Sequence, residues 1–344
     1  MGNIPLVEAV RHDKELVYMK LLERGTVNIC GENSRTALIE AASVGNLALV
    51  KTLLGKGAKV DLSDRTGQTA LMEASKLGHA RIVKLLLENQ CNVDHQDHEY
   101  DTALMKACID DHADVIELLL AADAQLDIIG RKRKTALDHG GRYCGEDSIK
   151  RLLRHSTDPN IRDQHSGTVL ISASNCKRPD IVSLILEDAE LKPTSNFINL
   201  ALSEACSDSN EKVVRLLIDH GANPNMNLKA RRQFTLLSNA IYFGDDAAVL
   251  TLLEAGIDIE TEDGDGKAPI HAAAARGTKT MVQSLIERGV SVNRRSSAGL
   301  FPLDYAMRRE DKDTSIADLL RKQGAITEGK RLVQLMRDRS KRLD

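Results

Sequence analysis

Aromatic residues and paired cysteines are scarce in this chain of 344 residues. It has no tryptophan, four phenylalanines and five tyrosines, so the position of each aromatic side chain is informative. Its six cysteines lie far apart without a Cys-x-x-Cys pair, which is typical of reduced thiols rather than of a disulfide framework. No apolar run is long enough to cross a membrane, and the N-terminus lacks the apolar core of a signal peptide. We therefore expect a soluble cytoplasmic protein without a transmembrane segment, and the nucleus is a second candidate compartment.

An excess of charge of one sign is also absent. The chain has 47 lysines and arginines against 50 aspartates and glutamates, which gives a formal net charge of −3. Affinity for nucleic acid or anionic lipid would therefore have to come from local clusters of cations. The densest cluster is the run from Arg131 to Lys134, which also matches a short nuclear-localisation signal.

Motifs of catalysis are missing as well. The sequence has no glycine-rich phosphate loop, no metalloprotease helix and no nucleophile elbow. A group of histidines and cysteines between residues 91 and 112 has the residue types of a metal site, but the 33-residue period places its members too far apart to share one tetrahedral ion. We expect no catalytic residue, no metal site and no cofactor. We call these histidines and cysteines the metal-like group; they are Cys91, His95, His98, Cys108 and His112.

A period of 33 residues runs through the chain. Thr36-Ala37-Leu38 recurs as Thr-Ala-Leu or Thr-Val-Leu four more times without an insertion. Such a period indicates a repeat protein, in which each unit buries its apolar face against its neighbours. We number ten repeats in chain order. They begin near residues 4, 36, 69, 102, 135, 168, 200, 235, 268 and 301.

Each repeat has the same internal order of features. A helix rich in small residues follows the threonine, and a second helix has apolar pairs at helical spacing, such as Leu49-Val50 with Leu53-Leu54. A Gly-Ala pair such as Gly57-Ala58 ends the second helix, and a polar turn leads to the next repeat. This pattern resembles the ankyrin repeat. The resemblance implies an all-α repeat solenoid of helix-turn-helix units with β-turn or hairpin fingers.

The resemblance also suggests how the chain is divided. We expect residues 1–325 to form the array and residues 326–344 to form a basic capping helix or tail. The family's proline is kept only at Pro5, Pro269 and Pro302, and its histidine only at His271. Repeat 5 is degenerate because Gly140-Gly141 replaces the small residues that contact the neighbouring repeat, and glycine within a helix costs about 1 kcal/mol relative to alanine.

Ankyrin arrays bind partners through their turn tips and the exposed ends of their first helices, which line a concave groove. In repeats 5 to 8 these positions are rich in arginine, lysine and aromatic residues, the types that concentrate in binding hot spots. The resemblance therefore implies partner-binding residues in these four repeats. In the turn tips they are Arg131, Lys132 and Lys134 of repeat 5, Arg162 and His165 of repeat 6, Phe197 of repeat 7, and Arg231, Arg232 and Phe234 of repeat 8. At the ends of the first helices they are Arg142 and Tyr143 of repeat 5, and Tyr242 and Phe243 of repeat 8.

These features favour a non-catalytic protein-interaction scaffold or adaptor. Its partner would be an extended peptide segment or a domain with acidic and apolar anchors, and we expect the chain itself to be a monomer. One alternative is the substrate-recruiting arm of a ubiquitin ligase or kinase complex. Another is binding of nucleic acid or anionic lipid through local basic patches, although the negative overall charge disfavours nucleic acid.

Overall fold

The computed structural model describes residues 5–12, 14–22, 27–155, 159–207, 210–226, 235–309 and 313–329. The chain forms two compact units, one of Met1–Ser172 with Glu187–Lys192 and one of Ala173–Leu186 with Pro193–Asp344. Across the described ranges there are twenty α-helices, arranged as ten consecutive pairs in chain order. The predicted all-α solenoid of helix-turn-helix repeats is therefore confirmed.

The first unit contains the helix pairs of repeats 1 to 5. Within each pair the first helix packs against the second, and the first helices of neighbouring repeats pack side by side. Two short 3₁₀ turns, η1 (Glu32–Ser34) and η2 (Arg131–Arg133), precede the pairs of repeats 2 and 5. The helices are α1 (Pro5–Arg11), α2 (Glu15–Leu22), α3 (Ala37–Ser43), α4 (Leu47–Gly55), α5 (Ala70–Lys76), α6 (Ala80–Glu88), α7 (Ala103–Ile109), α8 (Ala113–Ala121), α9 (Ala136–Tyr143) and α10 (Glu146–Arg154).

The second unit follows the same order. Helix α11 (Pro159–Asn175) begins in the first unit and ends in the second. The first helices α15 (Leu236–Phe243), α17 (Pro269–Arg276) and α19 (Pro302–Ala306) pack in sequence. The remaining helices are α12 (Pro179–Glu187), α13 (Ser195–Ala205), α14 (Glu211–Asp219), α16 (Asp246–Glu254), α18 (Lys279–Glu287) and α20 (Ser315–Lys322).

The repeated threonine begins these helices by capping them. The hydroxyl of Thr36 accepts a hydrogen bond from the backbone N–H of Ile39, and equivalent bonds form in repeats 3, 4, 5 and 8. Such a cap is worth about 1 kcal/mol because it satisfies a donor that has no partner inside the helix. Repeat 9 has alanine at this position and no hydroxyl to form this bond, and there the His271 ring accepts from the N–H of Ala268 itself, at 3.0 Å.

Small residues let neighbouring first helices approach one another. Ala41 and Ala42 of α3 are fully buried, and so are Ala74 of α5 and Ala107 of α7. In α9 the corresponding residue is Gly140, where an added Cβ would lie 3.0 Å from the Leu152 side chain. Each helix pair thus exposes an apolar face that only the next repeat can cover, and stability passes from repeat to repeat.

Hydrogen bonds between repeats fix their register. The ring Nε2 of His79 lies 3.3 Å from the carbonyl oxygen of Ser43, and that of His112 lies 2.9 Å from the carbonyl of Lys76. One repeat further on, the Cys144 thiol donates to the Cys108 carbonyl at 3.4 Å. All three bonds lie where a first helix ends, so these ends are held in fixed positions relative to one another.

The fingers between repeats are turns rather than extended strands. In the described ranges the one isolated β-bridge joins Ser63 to Thr69, on the two sides of the turn of repeat 3. The carboxylate of Asp64 organises this turn by accepting the backbone N–H groups of Thr66 and Gln68 at 2.8 and 3.1 Å. The same arrangement recurs around Asp97 and Asp263 in repeats 4 and 9.

Candidate partner-binding surface

Repeat 5 has a turn of a different kind from those of repeats 3, 4 and 9. Gly130 occupies the position of Asp97, and an added Cβ there would lie 2.6 Å from the sulfur of Met105. The turn is therefore closed by η2, in which Lys132 and Arg133 have φ angles of 55° and 60°. This left-handed conformation costs a non-glycine residue about 1–2 kcal/mol. The basic tip is thus held in a strained shape by its neighbours.

Two of the four cations in this tip are already paired inside the protein. Arg131 contacts the carboxylate of Glu99 in the preceding turn at 2.8 Å, and Lys134 contacts Asp138 one helical turn later at 3.2 Å. Asp138 also caps the start of α9. Across the ranges given above, the side chains of Lys132 and Arg133 have no ion-pair partner and both residues are exposed. These two carry the charge that is available to a ligand.

The end of α9 presents an aromatic ring next to a guanidinium group. Tyr143, the last residue of the helix, is 43% exposed. The guanidinium carbon of Arg142 lies 5.2 Å from the centre of its ring, and the ring of His139 stacks on it at 6.0 Å. Burial lowers the pKa of His139, so this imidazole is neutral at neutral pH. The predicted position of Arg142 and Tyr143 at an exposed helix end agrees with the structure.

In the second unit, the end of α15 has a pair of exposed aromatic rings. Tyr242 and Phe243 are 46% and 49% exposed, and their rings meet edge to face with centroids 5.5 Å apart. The guanidinium of Arg276, from the following repeat, lies 4.7 Å from the centre of the Tyr242 ring. Exposed aromatic rings beside guanidinium groups are the composition of binding hot spots.

Three residues are not in the turn tips where the sequence frame placed them. The turn of repeat 6 was expected to contain Arg162 and His165, but α11 begins at Pro159 and both residues lie within it. His165 is only 6% exposed, and its Nε2 lies 3.6 Å from an oxygen of Asp127. Phe197 is half-buried in the first turn of α13. Placement of these residues in exposed turns is therefore wrong.

The cause of this error is an early helix start. Proline is favoured in the first turn of a helix, and Pro159 provides such a start upstream of Thr168. The structure does not describe the Arg162 side chain, and Arg231, Arg232 and Phe234 lie outside the described residues, as does most of the expected C-terminal helix.

The sequence frame missed other exposed apolar residues. Val44, Leu77 and Ile109 are 49%, 44% and 36% exposed at the ends of α3, α5 and α7, where Tyr143 stands at the end of α9. The 33-residue period places Val44 and Leu77 at the position of Tyr143, and Ile109 at the position of Arg142, so their exposure could have been predicted from the sequence. Tyr100 was also missed: it is 65% exposed in the turn of repeat 4, with a φ angle of 67°.

Two of the three histidines in the metal-like group contact backbone carbonyls of the neighbouring repeat. The Nε2 atoms of His95 and His112 lie 3.2 and 2.9 Å from backbone carbonyl oxygens, and Cys108 is buried. Among the residues that the structure describes, no group of three or more histidine, cysteine or carboxylate side chains could hold a metal ion. None of the helices in the described ranges is long and apolar enough to cross a membrane.

Comparison with known proteins places the chain in a family. The family model of ankyrin repeats in sets of three copies matches residues 6–97, 89–163, 141–228, 169–263 and 237–329. An ankyrin repeat protein of fowlpox virus (strain NVSL) is 28% identical over 166 residues, which are 48% of this chain and 38% of the viral protein.

Two vertebrate proteins are also similar over part of their length. The mouse B-cell lymphoma 3 protein homolog is 26% identical over 180 residues, which are 48% of this chain and 40% of that protein. The zebrafish ankyrin repeat and SOCS box protein 11 is 33% identical over 126 residues, which are 37% of this chain and 40% of that protein. The chain thus spans about two fifths of each relative. With family matches along its length and ten helix pairs in its described ranges, the chain belongs to the ankyrin-repeat family, whose arrays serve in general as protein-interaction scaffolds.

Proposed function

We propose that this protein is a non-catalytic scaffold that holds a partner protein on its turn tips and on the exposed ends of its first helices. The observation that carries the proposal is the exposure of Tyr143, Tyr242 and Phe243, each between 43% and 49%. All three stand at the end of a first helix whose other apolar residues are buried. Exposing large aromatic rings is unfavourable for an isolated protein, and such residues mark interaction surfaces.

The charges beside these rings favour a partner with acidic and apolar anchors. Arg142 and Arg276 lie next to aromatic rings, and Lys132 and Arg133 are exposed in the tip of repeat 5. Carboxylates of a partner would meet cations at these positions, which accelerates association and excludes basic partners. Arg131 and Lys134 contribute less, because Glu99 and Asp138 already neutralise them. We expect the extended segment or domain edge of another protein to be the ligand.

A substrate-recruiting arm is the second candidate function. The name of the zebrafish relative combines ankyrin repeats with a SOCS box, so in that protein the repeats are joined to a further module. A recruiting arm would use the same surface but would also hold a catalytic protein. Binding of nucleic acid or anionic lipid would instead depend on the exposed cations alone and would fall steeply with salt.

The proposal is tested by affinity capture from cell lysate with four versions of the chain, followed by mass spectrometry. They are the intact chain, the double variant Tyr242→Glu with Phe243→Glu, the double variant Lys132→Glu with Arg133→Glu, and the control Met19→Glu. Met19 is 40% exposed on α2, away from the first-helix ends. Circular dichroism verifies that each version keeps its helical content.

We expect at least one protein to bind the intact chain and the control and to be lost from one of the double variants. Recovery of the same proteins with all four versions would refute the proposed surface. A catalytic protein that remains bound to every version, while another is lost, would favour the recruiting arm. Binding of labelled oligonucleotides or anionic vesicles, abolished by Lys132→Glu with Arg133→Glu and by salt, would replace the proposal with the third alternative.

A further inference from the structure

Two cysteines that are 36 residues apart in the sequence meet in the interior of the first unit. Cys108 lies in the last turn of α7, and Cys144 directly follows the last residue of α9. The Cys144 thiol donates to the carbonyl oxygen of Cys108 at 3.4 Å, and the two thiols are also hydrogen-bonded to each other. Both side chains are fully buried, and both cysteines are free. Their contact joins repeat 4 to repeat 5.

The backbone after α9 differs from that of the preceding repeats and places the Cys144 thiol inside. The residues at the same position of repeats 2, 3 and 4 are left-handed, with φ angles of 76° at Gly45, 73° at Gly78 and 55° at Asp111. Cys144 is extended instead, with φ −72° and ψ 147°. The next residue in repeats 3 and 4 is a histidine whose ring contacts the preceding first helix, whereas in repeat 5 it is Gly145. The Cys144 thiol therefore takes the place of that ring.

The end of α9 is the place where this pair can open to solvent. Gly140 and Gly141 lie in its last turns, and glycine is among the least favourable residues within a helix. The N–H of Cys144 is held there by a bond to the carbonyl oxygen of Gly140 at 3.0 Å. A helix end opens at a lower cost than the whole fold. Opening of this turn exposes Cys144, whereas Cys108 stays within α7.

The surroundings of the two thiols also set the order in which they react. The hydrogen bond with Cys144 and burial hold the pKa of Cys108 well above its usual value, and the negative charge of Asp111 adds to this effect. Cys108 is therefore kept as the neutral thiol, which is a poorer nucleophile than the thiolate. The first thiolate to meet an oxidant is that of Cys144, once the end of α9 opens.

We propose that Cys108 and Cys144 form a reversible disulfide when the protein meets a hydroperoxide. The Cys144 thiolate attacks the peroxide: an S–O bond forms, the O–O bond breaks, and the alkoxide leaves as an alcohol with the proton that Cys144 released. When α9 closes again, the Cys108 sulfur attacks the sulfenic acid. An S–S bond forms, the S–O bond breaks, and hydroxide leaves as water with the proton of the Cys108 thiol. The two sulfurs together lose two electrons, which reduce the peroxide.

The disulfide would tie the end of α9 to α7. A covalent link between these repeats removes conformations from the opened state, so the last turn of α9 would open less often. Arg142 and Tyr143 directly precede Cys144, so oxidation would also order the helix end that carries them. A dithiol reductant would restore the original state by thiol–disulfide exchange. This inference concerns a chemical modification and does not depend on the proposed scaffold function.

The test treats the full chain with tert-butyl hydroperoxide, alkylates the remaining thiols under denaturing conditions and maps the disulfides by mass spectrometry without reduction. Trypsin leaves the two cysteines in separate peptides, residues 107–131 and 143–150. We expect a linked pair that lacks two hydrogens relative to the free peptides and is at least tenfold more abundant than any other disulfide. Oxidation in urea that unfolds the chain is the control and should remove this preference.

Serine variants test the order of the two steps. In Cys108→Ser the reaction should stop at the sulfenic acid of Cys144, which dimedone captures, and in Cys144→Ser neither the linked pair nor a dimedone adduct of Cys108 should form. The matched control Cys206→Ser changes a cysteine that is 1% exposed at the end of α13 and should leave the linked pair unchanged. Circular dichroism verifies the helical content of each variant, and the map of the unchanged protein needs none of them.

Amide hydrogen exchange measures the effect on the fold. We expect exchange at the end of α9 to be at least tenfold slower in the oxidised protein, and dithiothreitol should restore the original rate. The inference is overturned if exposed Cys30 is oxidised while the linked pair is absent, or if the linked pair forms no more often in the folded chain than in urea. A dimedone adduct on Cys108 in Cys144→Ser, without one on Cys144 in Cys108→Ser, would likewise overturn the proposed chemistry.

Discussion

Replacement of Lys106 by methionine would test whether the repeat 4 turn depends on a buried ion pair. The Asp97 side chain is 1% exposed, and its Oδ2 accepts from the Lys106 ammonium at 2.8 Å and from the Gln68 amide at 2.6 Å. Its Oδ1 accepts the backbone N–H groups of Glu99 and Asp101, each at 2.9 Å. Methionine fills a similar volume but leaves the buried carboxylate without its counter-charge.

The expected loss of unfolding free energy is about 3 kcal/mol. Removing one partner of a buried ion pair costs about 3–5 kcal/mol, and the lower end applies because three uncharged donors still contact Asp97. Burial by itself would raise the pKa of Asp97, but Lys106 and the backbone donors outweigh it and hold the pKa below its usual value. The resulting stability is present above the ordinary carboxyl pKa of about 3.9 and is lost as the pH falls through the lowered value. In Lys106→Met that loss begins at a higher pH.

The assay is native-state hydrogen exchange, because a long repeat array need not unfold in one step. Peptides from repeats 3 and 4 report on Lys106→Met, and peptides from repeat 9 report on the control. The matched control is Lys267→Met, which removes a 3.1 Å contact with Asp265 between partly exposed side chains. Surface pairs of this kind contribute about 0–1 kcal/mol. If Lys106→Met lowered the opening free energy by no more than Lys267→Met, the assigned importance of the buried pair would be refuted.

Three further changes have defined outcomes. Gly130→Ala should lower the unfolding free energy by about 1–3 kcal/mol, because the new Cβ would lie 2.6 Å from the Met105 sulfur. The control Gly55→Ala should not lower it, because no atom lies within 4 Å of the new Cβ. Thermal melts compare the two variants. Burial lowers the pKa of His271, so the stability that this residue contributes is complete above about pH 6.5 and is lost as the pH falls. Urea midpoints measured from pH 7 to 5 should therefore depend less on pH in His271→Gln than in the unchanged protein. An equal dependence would contradict this. Burial raises the pKa of Cys91 to about 11 from 9.0, which lowers its thiolate fraction at pH 8 about 100-fold. The more basic thiolate is about tenfold more nucleophilic, so alkylation should be about tenfold slower than that of an ordinary thiol. Comparable labelling in a mass-spectrometric time course would contradict the shift.

The helices of repeats 2 to 5 could be predicted from sequence because their signals are local. A threonine at the cap, small residues in the first helix and apolar pairs in the second all lie within one 33-residue unit. The starts of α11 and α13 could not be predicted from the period, because Pro159 and Ser195 begin helices ahead of the expected positions. At these sites a local start signal prevails over the phase of the repeat.

The charge available to a partner could not be read from the sequence alone. Arg131 and Glu99 are 32 residues apart, and their contact exists only because consecutive turns lie side by side. The basic run thus presents two unpaired cations, Lys132 and Arg133, among the described residues rather than four. The exposure of Leu77 could have been predicted from the sequence, because Leu77 and Tyr143 occupy the same position in the 33-residue period.

Hydrogen bonds between successive loops limit how the length of this chain can change in evolution. The side-chain oxygens of Asn28, Asp61 and Asp94 each accept the backbone N–H of a residue 31 positions further on. Insertion of a single residue between donor and acceptor would move the wrong N–H opposite the oxygen. Duplication or deletion of a complete 33-residue repeat would leave every pair intact. The gene can therefore grow or shrink in whole repeats, and each added repeat would extend the proposed binding surface by one helix end.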